Sequence, residues 1–218
     1  MKTKKLTDGN LLLNILFFSF PLMLSGVLQL LFNAADTIVV GRFAGKASLA
    51  AVGSTTSLIH LLINLFIGLA VGANVVTAHF MGAEKTKDAN DAMHSSIVLS
   101  FWCGIVLAVI GLIFSPLFLR LMGNPDDVIG LASKYMRIYF LGMPALMIYN
   151  FGSAILRSVG DTKYPLYYLC FAGIINVILN LILVISFQMG VAGVALATMV
   201  SQCISAILII IRLSKGVE

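Results

Sequence analysis

The sequence predicts an all-α membrane protein, a bundle of six transmembrane helices. Three observations carry that expectation. Apolar residues make up 60% of the 218-residue chain and charged residues only 11%, against about 25% charged in soluble proteins. The mean hydropathy is +1.03. The apolar residues fall into six long runs separated by short polar links, and none alternates with the period of an outer-membrane barrel strand. Runs of this length exceed what a soluble core helix needs and read as spans. The same figures exclude a soluble enzyme.

The six expected spans are 11–40, 49–80, 93–119, 132–156, 164–188 and 191–211. The first is longer than a bilayer requires: at 1.5 Å per residue it reaches roughly 45 Å, against a hydrocarbon core of about 30 Å. It should be tilted, bent at Pro21, or partly outside the lipid. Met1–Lys5 followed by an apolar stretch mimics a signal peptide, but the stretch is too long and lacks a small-residue cleavage site, so it reads as an uncleaved first span. The links carry turn and cap residues. Gly41–Lys46 joins the first pair, Met81–Asp91 the second, and Gly123–Asp127 opens the third. Arg157–Pro165 is the fourth, and Gln188–Gly190 makes a tight antiparallel hairpin of the last two. No link can separate two soluble domains, so residues 1–218 are expected to form one transmembrane lobe.

The basic residues suggest an orientation. With the N-terminus cytoplasmic, nine of the 14 Lys and Arg residues fall inside and five outside. That bias places both termini in the cytoplasm. The net charge of +5 is scattered over span ends and is no nucleic-acid signal. Cys103, Cys170 and Cys203 sit inside apolar runs without metal-like spacing and read as packing residues. Gly68 and Gly72, with Ala73, form a small-residue pair in the second span, and Gly190–Ala197 opens the sixth. Both are expected to let backbones approach closely.

Chemistry is concentrated in polar stripes on these helices. Asp36 is the only charged residue between Gly9 and Gly41. A carboxylate at that depth costs a few kcal/mol or more unless compensated. Ser25, Gln29, Asn33 and Asp36 recur at helical spacing and share a face. Such a stripe must face protein or water, which marks an ion or substrate pathway. The alternative makes Asp36 a helix-end residue meeting interfacial water. Ser57, His60 and Asn64 form a second stripe, Asn150 and Ser153 a third, Asn176 and Asn180 a fourth, and Thr198, Gln202 and Ser205 a fifth. Any one of them has a plain reading as an interhelical hydrogen bond, and that reading is preferred for His60. If the stripes converge, their oxygen-rich groups can hold a small cation or a proton. No nucleophile–base pair, phosphate loop or metal-ligand spacing is present.

Several of these stretches resemble one family. Pro21, Gln29–Gly41 with Asp36, and Leu49–Gly53 resemble the first-span signature of MATE (multidrug and toxic compound extrusion) transporters. Ala154–Pro165 resembles the family's loop between spans four and five, and Asn176–Asn180 and Gly190–Thr198 resemble its fifth and sixth spans. The resemblance covers nearly the whole chain. It implies a cation-coupled antiporter exporting small organic, cationic substrates, with no cofactor beyond a coupling proton or sodium. It implies that Asp36, Asn176, Asn180 and Thr198 form the coupling site, with transient sodium at Asp36 as the only metal. Gln29 and Asn150 then line the cavity, joined by Asn33 of the Asp36 stripe. Pro21 is a plausible bend, and thus a moving part of the first span. In some relatives the position of Asn180 is Asp, which leaves proton and sodium both open. Family members have about twelve spans in two lobes, so the chain looks like the amino-terminal lobe. Its partners would be membrane lipid and a second six-helix lobe, either a carboxy-terminal half or a second copy. Two further readings stay open: a flippase-like relative handling lipid-linked oligosaccharides, and an inactive single-lobe fragment.

Overall fold

Seven α-helices fill the computed structural model, which describes residues 11–215. They are α1 (Leu11–Phe43), α2 (Lys46–Gly82), α3 (Thr86–Leu121), α4 (Asp126–Leu141), α5 (Met143–Ser158), α6 (Lys163–Leu181) and α7 (Val191–Ser214). A π-helical turn, Ile182–Ser186, continues α6. Among the described residues there is no strand. The basic residues before Leu11, and the last three residues, lie outside the described part.

Five helical stretches are each long and apolar enough to cross a membrane, and α4 and α5 qualify together as a pair bent by 49°. The chain is therefore a multi-pass membrane protein. The expected fourth span, 132–156, was drawn as one helix. The structure corrects this to two helices that start earlier and break at Gly142. Pro144 stands in the first turn of α5. A proline there has no N–H to give the preceding turn, and its ring collides with the carbonyl four residues back. By contrast α1 runs unbroken through Pro21. Ser25 Oγ donates to the Pro21 carbonyl oxygen at 2.8 Å.

Side chains too small to keep backbones apart decide how the helices pack. In lipid the solvent gives no hydrophobic drive, so close backbone approach supplies much of the association. On α3, Ser100, Gly104, Ala108, Gly111 and Ser115 are buried in one stripe. A Cβ at Gly104 would overlap the Pro144 backbone, and one at Gly111 would overlap the Phe140 ring. The broken fourth span is thus seated in a groove that α3 leaves open. The largest core cluster surrounds this seam, with Met136, Phe140, Met143 and Met147 packed among Leu107, Leu119, Ile59, Ile63 and Val194.

The two glycine pairs named above fare differently. Gly68 and Gly72 have nothing within 4 Å of an added Cβ, so that pair is not a close helix contact. A Cβ added at Gly193, at the start of α7, would meet the Leu183 and Met189 Cβ atoms at 3.1 and 3.2 Å. The turn before it needs left-handed backbone at Gln188 (φ 52°) and Gly190 (φ 54°). It folds α7 back against α6, and α1 lies mainly against α6 on the outside of that hairpin.

Candidate functional site

Asp36 lies well inside α1 and is buried, so it is not a helix-end residue in interfacial water. Its partner comes from α6. Asn180, fully buried, donates from Nδ2 to Asp36 Oδ1 and also to Asn176 Oδ1 at 3.2 Å. Asn176 Nδ2 donates to Thr198 Oγ1 at 3.3 Å, and Thr198 Oγ1 donates to the Val194 carbonyl at 3.0 Å. Turning the Asn176 amide over instead brings its NH2 2.9 Å from Asp36 Oδ1 and lets its oxygen accept from Thr198 N at 3.3 Å. In either arrangement one hydrogen-bonded chain joins α7 through α6 to the Asp36 carboxylate of α1. A hydrogen bond to a carboxylate contributes about 1.5–3 kcal/mol, which offsets part of the cost of holding it away from water. Asn180 Oδ1 is buried without a hydrogen-bond partner.

Gly173 sets the spacing that makes this contact. A Cβ there would overlap the Phe32 ring of α1. Phe32 lies one turn before Asp36, and Gly173 lies three and seven residues before Asn176 and Asn180, on the same face of α6. The bare backbone at Gly173 admits the ring, and so lets α1 come close enough for the carboxylate to reach the asparagines.

The cluster forms one wall of a cavity of about 230 Å³. Gln29, Asn33, Asp36, Asn150, Asn176 and Thr198 all line it, while Asn180 lies behind the wall. Gln29 and Asn33 are exposed on α1 and face the open space. Asn150 lines it from α5, its Nδ2 bonded to the Leu146 carbonyl at 2.9 Å. His60 and Asn64 of α2 line it too, as do Ser201, Gln202 and Ser205 of α7. His60 thus stands on the cavity wall, exposed, where its sequence reading was a single interhelical hydrogen bond. The apolar lining, Phe32, Ile63, Ile67, Tyr139, Leu146, Tyr149 and Leu169, carried no sequence signal that separates it from core. Tyr149 closes one edge, its hydroxyl donating to the Pro165 carbonyl at 3.0 Å.

Five apolar spans and a bent helix pair, around a polar cavity with a carboxylate buried in its wall, define a multi-pass membrane protein with a polar site at span depth. Known proteins match along the chain. A family model described as MatE matches residues 21–182. The chain is 32% identical over 205 residues to the probable multidrug resistance protein YpnP of Bacillus subtilis (strain 168), covering 94% of this chain and 46% of that protein. It is 33% identical over 217 residues to the probable multidrug resistance protein YoeA of the same organism, covering 98% of this chain and 47% of that protein. A crystal structure of MATE in complex with MaD3S superimposes with a TM-score of 0.89 at 30% identity, over 98% of this chain and 48% of that one. The chain belongs to the MatE family. It spans about half the length of the curated relatives it matches.

Proposed function

We propose that the chain is one six-helix lobe of a cation-coupled antiporter that exports drugs or other small organic cations across the cytoplasmic membrane. The observation that carries the reading is the buried Asp36 carboxylate, held by Asn180 in the wall of a cavity that α1, α6 and α7 share. A fixed negative charge that is only partly compensated favours a proton or sodium ion beside it. The oxygens of Asn176, Asn180 and Thr198 give a hard donor set for sodium, and the unpartnered Asn180 Oδ1 is available to it. In this reading Asp36 takes the coupling ion in one state and releases it in another, and the organic cation is favoured once the ion has left. Gln29, Asn33 and Asn150 contact the substrate, and Pro21 gives α1 a place to bend. The names of the relatives, probable multidrug resistance proteins, support export of drugs. The matched length supports a second lobe as the partner.

The test is efflux of a fluorescent organic cation from vesicles, driven in turn by a proton and a sodium gradient. The chain is assayed alone and joined to a second six-helix lobe. Gradient-dependent efflux by the joined form, with one of the two ions, is expected. Efflux that ignores both gradients rejects the reading.

A further inference from the structure

A second hollow, an open groove of about 520 Å³, lies between the last part of α3 and α4. Its walls are largely apolar: Pro116 of α3 faces Ile129, Gly130 and Ile138 of α4 across it. A Cβ added at Gly130 would meet nothing within 4 Å, so the space beside that backbone is free. Lys134 and Arg137 line the same groove, one turn apart and therefore on one face of α4. Both are exposed, and among the described residues neither makes an ion pair. The Ser133 hydroxyl group belongs to the lining as well.

The depth of these two cations calls for an anion. α4 and α5 qualify as a span only as a bent pair, and residues 126–158 reach roughly 49 Å at 1.5 Å per residue. Centred on a hydrocarbon core of about 30 Å, such a pair overhangs by roughly 10 Å at each end. Lys134 stands about 12 Å along α4 from Asp126, and Arg137 about 17 Å. The first lies near the hydrocarbon boundary and the second inside it, where an uncompensated cation is costly. Helical side chains lean toward the N-terminus of their own helix, so both stems run up toward the headgroup layer. The acids of α4, Asp126 and Asp127, occupy its first turn, where the helix dipole favours them. They are about 10 Å or more along the helix from Lys134 and pair with neither cation. Arg120, in the last turn of α3 and one turn beyond Pro116 on its face, adds a third cation at this end.

We propose that the groove between α3 and α4 binds an anionic phospholipid, with the headgroup phosphate on Lys134 and Arg137 and an acyl chain along the groove below them. The Arg137 guanidinium offers a planar fork that matches phosphate oxygens, and Lys134 adds a point charge. Basic pockets between spans are the places where anionic headgroups dock. The apolar walls select a lipid over a free anion. Deeper in the bilayer they continue as Ile113, one turn from Pro116 on α3, and Leu141, one turn from Arg137 on α4, both exposed. A phosphate held at the rim thus has its acyl chain directed along surface that the protein leaves bare. The inference rests on the chain spanning a membrane and not on its transport activity.

The experiment measures lipid retention by native mass spectrometry, and melting temperature in detergent, for the full chain. Dioleoylphosphatidylglycerol, dioleoylphosphatidylcholine and inorganic phosphate are added in separate arms. Phosphatidylglycerol should be retained in preference to phosphatidylcholine and should raise the melting temperature. Replacing both cations, Lys134→Gln with Arg137→Gln, should weaken that retention roughly tenfold or more. Because both side chains are exposed, the double variant should melt as the parent does without lipid. Gly130→Leu fills the open part of the groove without changing charge and should also weaken retention. Arg42→Gln with Lys46→Gln removes as much charge from the same end of the bundle, outside the groove, and should leave retention unchanged. Equal retention of the two lipids, equal loss in the Arg42 and Lys46 control, or unchanged retention in either groove variant overturns the proposal. Stabilisation by inorganic phosphate without a preference for the anionic lipid assigns the cations to a free anion and overturns the lipid source. A lipid-free dimer that the Gly130 variant abolishes gives the groove to a second copy and overturns it too.

Discussion

Asp36→Asn keeps the shape of the side chain and removes its charge. The variant should fold and express as the parent does, while gradient-driven efflux by a two-lobe form drops to the level of empty vesicles. Continued transport against a gradient would make the carboxylate structural. Asn180→Ala has a different signature. It removes a donor from a buried carboxylate, so a stability loss of about 1–3 kcal/mol is expected, read as a lowered melting temperature in detergent. That Asp36 needs a partner is legible from the sequence, because a lone acid in an apolar run cannot face lipid. Which groups supply it is only partly legible. Asn176 and Asn180 stand out as carboxamides one turn apart, but so do Asn64, Asn150 and Gln202, and nothing in their spacing ranks them. The choice is made by Gly173, a residue with no polar chemistry, because it lets Phe32 and hence α1 approach α6.

At the scale of an element, that argument gives a steric prediction. Gly173→Leu places a side chain where the Phe32 ring lies. Overpacking of this kind costs about 1–3 kcal/mol, and here it should also part Asp36 from the asparagines. Transport by a two-lobe form should then fall although no polar group has changed. A Gly173 variant with full transport would show that α1 need not sit this close. The α3 stripe predicts a harsher outcome. At Gly104 the obstructing atoms belong to the Pro144 backbone, which cannot rotate aside, so Gly104→Leu should cost more in melting temperature than Gly173→Leu. The reverse order would contradict the packing seen here. Sequence spacing pointed to Gly68 and Gly72 as a packing pair and passed over the α3 stripe. Small residues at helical spacing are common on membrane helices, and only the neighbour across the gap decides which set is used. The break at Gly142 was passed over as well, although Pro144 lies two residues on.

For the whole molecule, the proposed orientation places the start of α2 on the opposite side of the membrane from the start of α3. Lys46→Cys and Lys85→Cys are exposed positions at those two ends. An impermeant thiol reagent applied to intact cells, with the three native cysteines replaced, should label the Lys46 variant and spare the Lys85 variant. Labelling of both from outside would reject the topology. The spread of basic residues supports that sidedness, but the N-terminal lysines that weigh most in it lie outside the described part of the chain.

Composition and apolar run length determined by themselves that this chain crosses a membrane as helices, because lipid forces every span to satisfy its own backbone hydrogen bonds. The first-span motif around Asp36 and the Arg157–Pro165 loop identified the family. Tertiary structure alone decided the rest: that span four is two helices, that α3 cradles the break, that His60 faces the cavity, and that Asn180 reaches Asp36 from behind its wall. These depend on which surfaces meet across several nanometres of chain. Helical periodicity fixes the face on which a residue lies, whereas its neighbour is set by the closest approach that side-chain volume on both helices allows.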